Sequence, residues 1–192
     1  VDLATHASIP VINALTYEHH PCQGLADAMT LRERFGATQG LKVAYVGDGN
    51  NGFISLAVVC AKLGMHVTCA CPDGYDPDAE TVAWADATAR ERGGSVTVMR
   101  EAAEAVADAR AIYTDTWVSM GDEEREAERI RALGPYKLDQ ALLDQSVSFA
   151  ARARGSARGR SRLGLPPPVQ PQPLLRGLAH PALDDRRDVL RE

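Results

Sequence analysis

The sequence predicts an α/β fold: a Rossmann-like, three-layer α/β/α domain on a parallel sheet, followed by a disordered C-terminal tail. Three observations carry this. Between Leu41 and Trp117, short β-rich runs alternate with helical patterns, and such alternation calls for parallel pairing with helices on both faces. A chain of 192 residues at 45% hydrophobic composition can bury one substantial core. The alternation then stops where the charge changes sign: residues 1–145 carry 22 acidic and 12 basic residues, whereas 146–192 carry nine Arg, no Lys and four acids.

Each element has a local reason. "HPCQGLADAMTLRERFG" sets Leu25, Met29 and Leu31 to Phe35 on a helical period and stops at Gly36, a C-cap residue. "LKVAYVG" is a short strand, and "FISLAVVCAKLG" is apolar nearly all round, which predicts a buried helix ending at Gly64. "HVTCAC" reads as the second strand, "PDAETVAWADATARERGG" as a helix with a charged face, and "SVTVM" as the third strand. A short helix, "EAAEAVADA", a fourth strand, "AIYTDTW", and a charged helix, "DEEREAERIRAL", complete the pattern. The tail "ARARGSARGRSRLGLPPPVQPQP" has neither period and reads as low-complexity, disordered chain. A basic arm for RNA or a membrane is the sharper alternative, but no aromatic residue follows Phe149 to stack on bases.

The bulk numbers narrow the function. A net charge of -5 gives no general attraction to nucleic acid or membranes. No apolar run approaches the roughly 18 residues of a membrane span, and "VDLATHASIP" lacks the order of a secretory signal. A cytoplasmic location is the default expectation. Cys22, Cys60, Cys69 and Cys71 have neither zinc spacing nor the density of a disulfide scaffold, so reduced, buried thiols are expected.

In a parallel sheet of this kind the ligand sits beyond the carboxyl ends of the strands. The loops after Val46, Cys71 and Thr114 qualify. The first contains "GDGNNG", which fits the dinucleotide pattern G-x-G-x-x-G, with Asp73 placed as a ribose-binding acid. Against that reading, Asp48 puts a carboxylate where pyrophosphate would lie, and Gly52 leads into bulky Phe53. The alternative gives Asn50 and Asn51 to a helix start, one as cap and the other facing a ligand with both donors and acceptors, such as an amino acid.

"TDTWVSMG" adds Asp115, Ser119 and the Met120-Gly121 turn within a short span. An acid can hold an ammonium group, and a hydroxyl with exposed N–H groups can hold the remainder. The plainer reading makes Asp115 an Asx turn capping the next helix. "HPCQ" places His20 and Gln23 at a helix start, where His can donate to a carbonyl oxygen and Gln can accept from an NH2 group. His19 reads as solvated, and an ordinary helix boundary accounts equally for the His-Pro pair.

Taken in order, "HPCQGLAD", "KVAYVGDGNN", "AKLGM", "GYDPDA" and "YTDTWVSMG" resemble the ornithine carbamoyltransferase family across roughly residues 8–145. The DGNN and SMG loops differ from those of its aspartate-using relatives, which points to ornithine. The resemblance implies transfer of the carbamoyl group of carbamoyl phosphate to the side-chain amine of L-ornithine, giving citrulline and phosphate without a cofactor. It implies that His20 and Gln23 contact the carbamoyl group, with His20 polarising its oxygen, and that Asn51, Asp115, Ser119 and Met120 hold ornithine. It also implies a homo-oligomer, since family members are trimers.

The implied division is a joining segment over 1–36, an ornithine-binding α/β domain over 37–145 and the low-complexity tail over 146–192. The sequence contains neither the family's Ser-Thr-Arg-Thr-Arg phosphate loop nor its His-Cys-Leu-Pro motif, and Ile54 stands where the family has His. Ser55 is retained. The tail resembles translation in a shifted reading frame. The expectation is a carbamoyltransferase represented by its amino-acid-binding part and inactive alone. The alternatives are a non-catalytic remnant that binds amino acids or a full-length partner, and a nicotinamide-dependent enzyme using NAD.

Overall fold

A computed structural model describes residues 2–118 and 123–146. Ser119, Met120 and the Arg/Pro-rich tail lie outside the described residues. The elements run α1 (Asp2–His6), α2 (Pro21–Phe35), β1 (Lys42–Val46), α3 (Asn51–Lys62), β2 (His66–Ala70), α4 (Ala79–Arg90), β3 (Ser95–Met99), α5 (Ala102–Val106), β4 (Ala111–Tyr113) and α6 (Glu126–Leu133). The four strands form one parallel sheet in the order β3-β2-β1-β4. The predicted layers are present.

Strand periodicity decides which side chain enters which layer. Val43 and Tyr45 of β1 pack with α2, α3 and α4, while Ala44 and Val46 pack with α5 and the helical stretch 140–146, because successive residues point to opposite faces. The all-round apolarity of α3 has the predicted consequence: Phe53, Leu56, Cys60 and Ala61 are fully enclosed between the sheet and its neighbouring helices. Burying Phe53 and Leu56 contributes roughly 1.5–3 kcal/mol each. Gly64 follows α3 with φ of +69°, and Gly36 follows α2 with φ of +76°, as helix ends favour.

Helix α2 departs from the expected pattern. Leu25 and Met29 are exposed, and the face turned inward is Gly24, Ala28 and Leu31. The reason is backbone proximity: a Cβ on Gly24 would lie 2.8 Å from the carbonyl oxygen of Ser55 in α3. Only a stripe of small residues lets the two helices approach that closely. The fourth strand is also shorter than "AIYTDTW", ending at Tyr113. Asp115 just beyond it bonds a neighbouring backbone amide, Thr116 N at 2.7 Å, the kind of local bond that competes with ladder pairing.

The cysteine expectation holds for three of four. Cys60, Cys69 and Cys71 are buried free thiols, whereas Cys22 is free and exposed because it lies on the outer face of the first turn of α2. Burial pushes the Cys60 thiol up to about 12. Among the described residues no helix is long and apolar enough to cross a membrane.

Two outcomes are expected. Gly24→Val should destabilise the chain by about 1–3 kcal/mol, read as a lower urea midpoint at unchanged slope. Iodoacetamide applied to the native chain should modify Cys22 and spare Cys60, Cys69 and Cys71 until denaturant is added, as peptide mass spectrometry would reveal.

Candidate active site at the carboxyl edge of the sheet

Asn50 is the junction between β1, α3 and β4. As N-cap of α3, its Oδ1 accepts from Gly52 N at 2.9 Å and Phe53 N at 3.2 Å, satisfying two amides that the helix cannot. The same oxygen accepts from the Tyr45 hydroxyl at 3.3 Å. Burial foremost, and the charge of Asp115 next, raise Tyr45 well above the ordinary 10, so this hydroxyl stays protonated and donates. With Oδ1 on three donors, Nδ2 is turned outward and donates to Asp115 Oδ2 at 3.1 Å. Asp115 therefore sits over the first turn of α3. It does not cap α6, which begins with Arg125 at its N-cap and no side-chain cap bond.

Asn51, the asparagine left to a ligand once Asn50 caps the helix, has protein partners in this structure. Its Nδ2 donates to the carbonyls of Thr16 at 2.9 Å and Tyr17 at 3.1 Å. That amide ties the start of α3 to the loop preceding α2. The loop delivers His20, the N-cap residue of α2, whose backbone N–H donates to Ser55 Oγ at 2.7 Å. His20 Nδ1 is buried with no hydrogen-bond partner, a costly state unless something else meets it. His19 is exposed, as expected.

One turn further along α2, Gln23 Nε2 donates to Asp27 Oδ1 at 2.8 Å. Asp27 borders one small cavity with Tyr113 and lies within electrostatic reach of both His20 and Asp115. Burial raises Asp27 above the ordinary 3.8, opposed by the Gln23 hydrogen bond, by Tyr113 and by His20. Folding thus favours its protonated form. The stabilisation from this shift is complete below the ordinary value and is lost as pH rises through the folded one.

Asp27 links the expected residues: Gln23 bonds it, and His20 and Asp115 lie within its electrostatic reach. Tyr113 borders the same small cavity as Asp27, and Asn50 bonds Asp115. Of Asp27, Tyr113 and Asn50, Asp27 had a legible signal, since Gln23 and Asp27 are four residues apart on one helix. The Asn50–Asp115 and Asp27–Tyr113 pairs span long sequence separations and carry no sequence signal.

The turn after β1 does not present a pyrophosphate cradle. Gly47 N donates to Ala70 O, Gly49 N to Tyr75 O and Asn50 N to Asp48 O, while Asn50 Oδ1 takes the amides of Gly52 and Phe53. These donors are spent inside the protein. A Cβ on Gly49 would lie 2.5 Å from Pro77, so this glycine admits the β2–α4 loop rather than a phosphate. Asp48 is neutralised by an ion pair with the buried Arg129 of α6, and Asp73, the candidate ribose acid, pairs with Arg100 at 2.6 Å. The nucleotide alternative finds no support in this geometry.

Comparison with known proteins fits that geometry. Residues 39–150 match the family model described as "Aspartate/ornithine carbamoyltransferase, Asp/Orn binding domain", and residues 1–33 match the family's carbamoyl-P binding domain. The chain belongs to the aspartate/ornithine carbamoyltransferase family. It is 46% identical over 149 residues to an ornithine carbamoyltransferase of Methanocorpusculum labreanum, covering 78% of this chain and 48% of that protein. It is 50% identical over 143 residues to one of Symbiobacterium thermophilum, covering 74% and 46%. Among solved structures, ornithine carbamoyltransferase from Pyrococcus furiosus superposes with a TM-score of 0.71 at 46% identity, covering 75% of this chain and 46% of that one. The chain spans about half the length of the curated relatives it matches.

The boundary between the two family matches falls just after α2. His20, Gln23 and Asp27 lie in the carbamoyl-P match, and Asn50, Asn51 and Asp115 in the Asp/Orn match. The candidate site is therefore composite.

The Asp48–Arg129 pair yields a stability prediction. Arg129→Met should cost about 3–5 kcal/mol by stranding a partly buried carboxylate, and adding Asp48→Asn should restore much of that loss in a double-mutant cycle by urea unfolding.

Proposed function

We propose that the chain is the amino-acid-binding part of an ornithine carbamoyltransferase, catalysing in the whole protein the conversion of carbamoyl phosphate and L-ornithine to L-citrulline and phosphate. The observation that supports this reading is the set of contacts linking Asp115, fastened by Asn50, through Asp27 to Gln23 and His20. A carboxylate suited to an ammonium group thus stands near a helix start suited to a carbonyl. Asp115 and Ser119 hold the α-ammonium of ornithine; Asn51 and the Met120 backbone hold its carboxylate. Asn51 reaches that carboxylate only by exchanging its bonds to Thr16 and Tyr17, so binding moves this loop.

The chemistry follows from placement. The side-chain amine, in its neutral form, attacks the carbamoyl carbon. The new C–N bond forms as the C–O bond to phosphate breaks, and phosphate leaves with the electron pair while the nitrogen sheds a proton. His20 stabilises negative charge growing on the carbamoyl oxygen, and alignment of amine and carbon supplies much of the remaining acceleration. A dianionic substrate needs cationic neutralisation that His20 and Gln23 do not supply, so the chain by itself turns over no faster than its His20→Ala variant. The same reading carries a cytoplasmic location and assembly as a homo-oligomer.

Isothermal calorimetry of the full chain tests the binding claim. Heat should saturate at millimolar L-ornithine, and Asp115→Asn should weaken binding at least tenfold. No heat at millimolar ornithine overturns the site. Citrulline formed by the chain alone, above the His20→Ala control, would overturn the inactivity.

A further inference from the structure

An amide side chain has two faces of opposite character, and its orientation decides what it recognises. Gln23 Nε2 donates to Asp27 Oδ1 at 2.8 Å, which points the Gln23 NH2 toward Asp27 and turns Oε1 the other way. Tyr113 borders the same small cavity as Asp27, and the Tyr113 ring stacks on Tyr45 with centroids 5.4 Å apart and planes inclined by 15°. Tyr45 in turn donates to Asn50, the residue that fastens Asp115.

We propose that Asp27 is a positioning residue: by fixing Gln23 with its carbonyl oxygen toward the crevice, it makes the site select an acyl donor bearing N–H groups, a carbamoyl, over the isosteric acetyl. This inference rests on the assignment of Gln23 to the carbamoyl group. An acetyl methyl leaves Oε1 unpaired in the closed site, whereas a carbamoyl NH2 satisfies it, and sites built around such a bond reject analogues that lack it. Asn at position 27 breaks the logic. It keeps the shape but offers a donor as well as an acceptor, so Gln23 can reverse and present its own NH2. Around Asp27 stand His20 of the same helix, Tyr113 and Asp115 at the end of β4, and Cys60 of α3, and the Asn variant keeps each of these side chains while removing one carboxylate beside them.

The test uses the full chain and its Asp27→Asn and Tyr113→Phe variants. In nitrogen-edited proton spectra, the Gln23 side-chain NH2 pair should be split and protected in the parent chain. It should collapse toward the exposed-amide position in Asp27→Asn, with backbone resonances of α2 and α3 unchanged; Tyr113→Phe should shift it only partly. Gln23 resonances indifferent to Asp27→Asn overturn the proposal. In the second arm, shift changes at His20 and Gln23 are followed on adding fresh carbamoyl phosphate or acetyl phosphate. The parent should favour carbamoyl phosphate at least tenfold, and Asp27→Asn should erase that preference without altering ornithine binding. An unchanged preference overturns the proposal. If neither phosphate binds the parent, the substrate assignment of Gln23 falls and the selectivity with it, while the amide spectrum alone still decides the orientation.

Discussion

The crevice depends on the side chain of Asn50. Four hydrogen bonds converge on it: two helix amides and a tyrosine hydroxyl on its oxygen, and a carboxylate on its nitrogen. Each neutral bond is worth only about 1 kcal/mol net, yet no other arrangement serves all four partners, because an amide has one acceptor end and one donor end. Capping α3 with the oxygen commits the nitrogen to Asp115. Local helix termination and long-range site assembly are thereby one event, and a helix cap at the end of β1 decides where the acid after β4 comes to rest.

A second constraint sets the opposite wall. Helix α2 reaches the crevice because Gly24 and Ala28 let it lie against the backbone of α3, and because the His20 amide is pinned by Ser55 Oγ. Those contacts hold the helix start over the sheet edge. The 16–17 loop is held there by Asn51. The two families of contacts come from segments matching different domains of the family, and they meet in α3, the most buried helix. Helix α3 thereby joins the segment that carries His20 and Gln23 to the loop that carries Asp115.

Much of this was legible in the residues. Alternating β-rich and helical runs carried the layers, since burial on one or two faces leaves a period of two or of 3.6. Gly36 and Gly64 marked helix ends through the left-handed conformation they adopt. The motifs located three of the loops that count. Where the reading missed, a tertiary demand had overridden a local pattern. Leu25 and Met29 have the spacing of core residues but are exposed, because close approach to α3 selected the glycine face instead. Asp48 looked like an electrostatic obstacle in its turn until Arg129, far along the chain, supplied its counterion.

The sequence by itself determined the parallel α/β class, the strand and helix order, the family, and the identity of the chemical groups near the carboxyl edge. These properties are written in local periodicity, turn chemistry and short motifs, each confined to a few neighbouring residues. Only the tertiary structure decided which asparagine holds Asp115, which way the Gln23 amide faces, and that Tyr113 and Asp27 border one cavity. Those outcomes depend on hydrogen bonds and ion pairs between residues up to about eighty positions apart, whose donors and acceptors are complementary only once the sheet has brought them within reach.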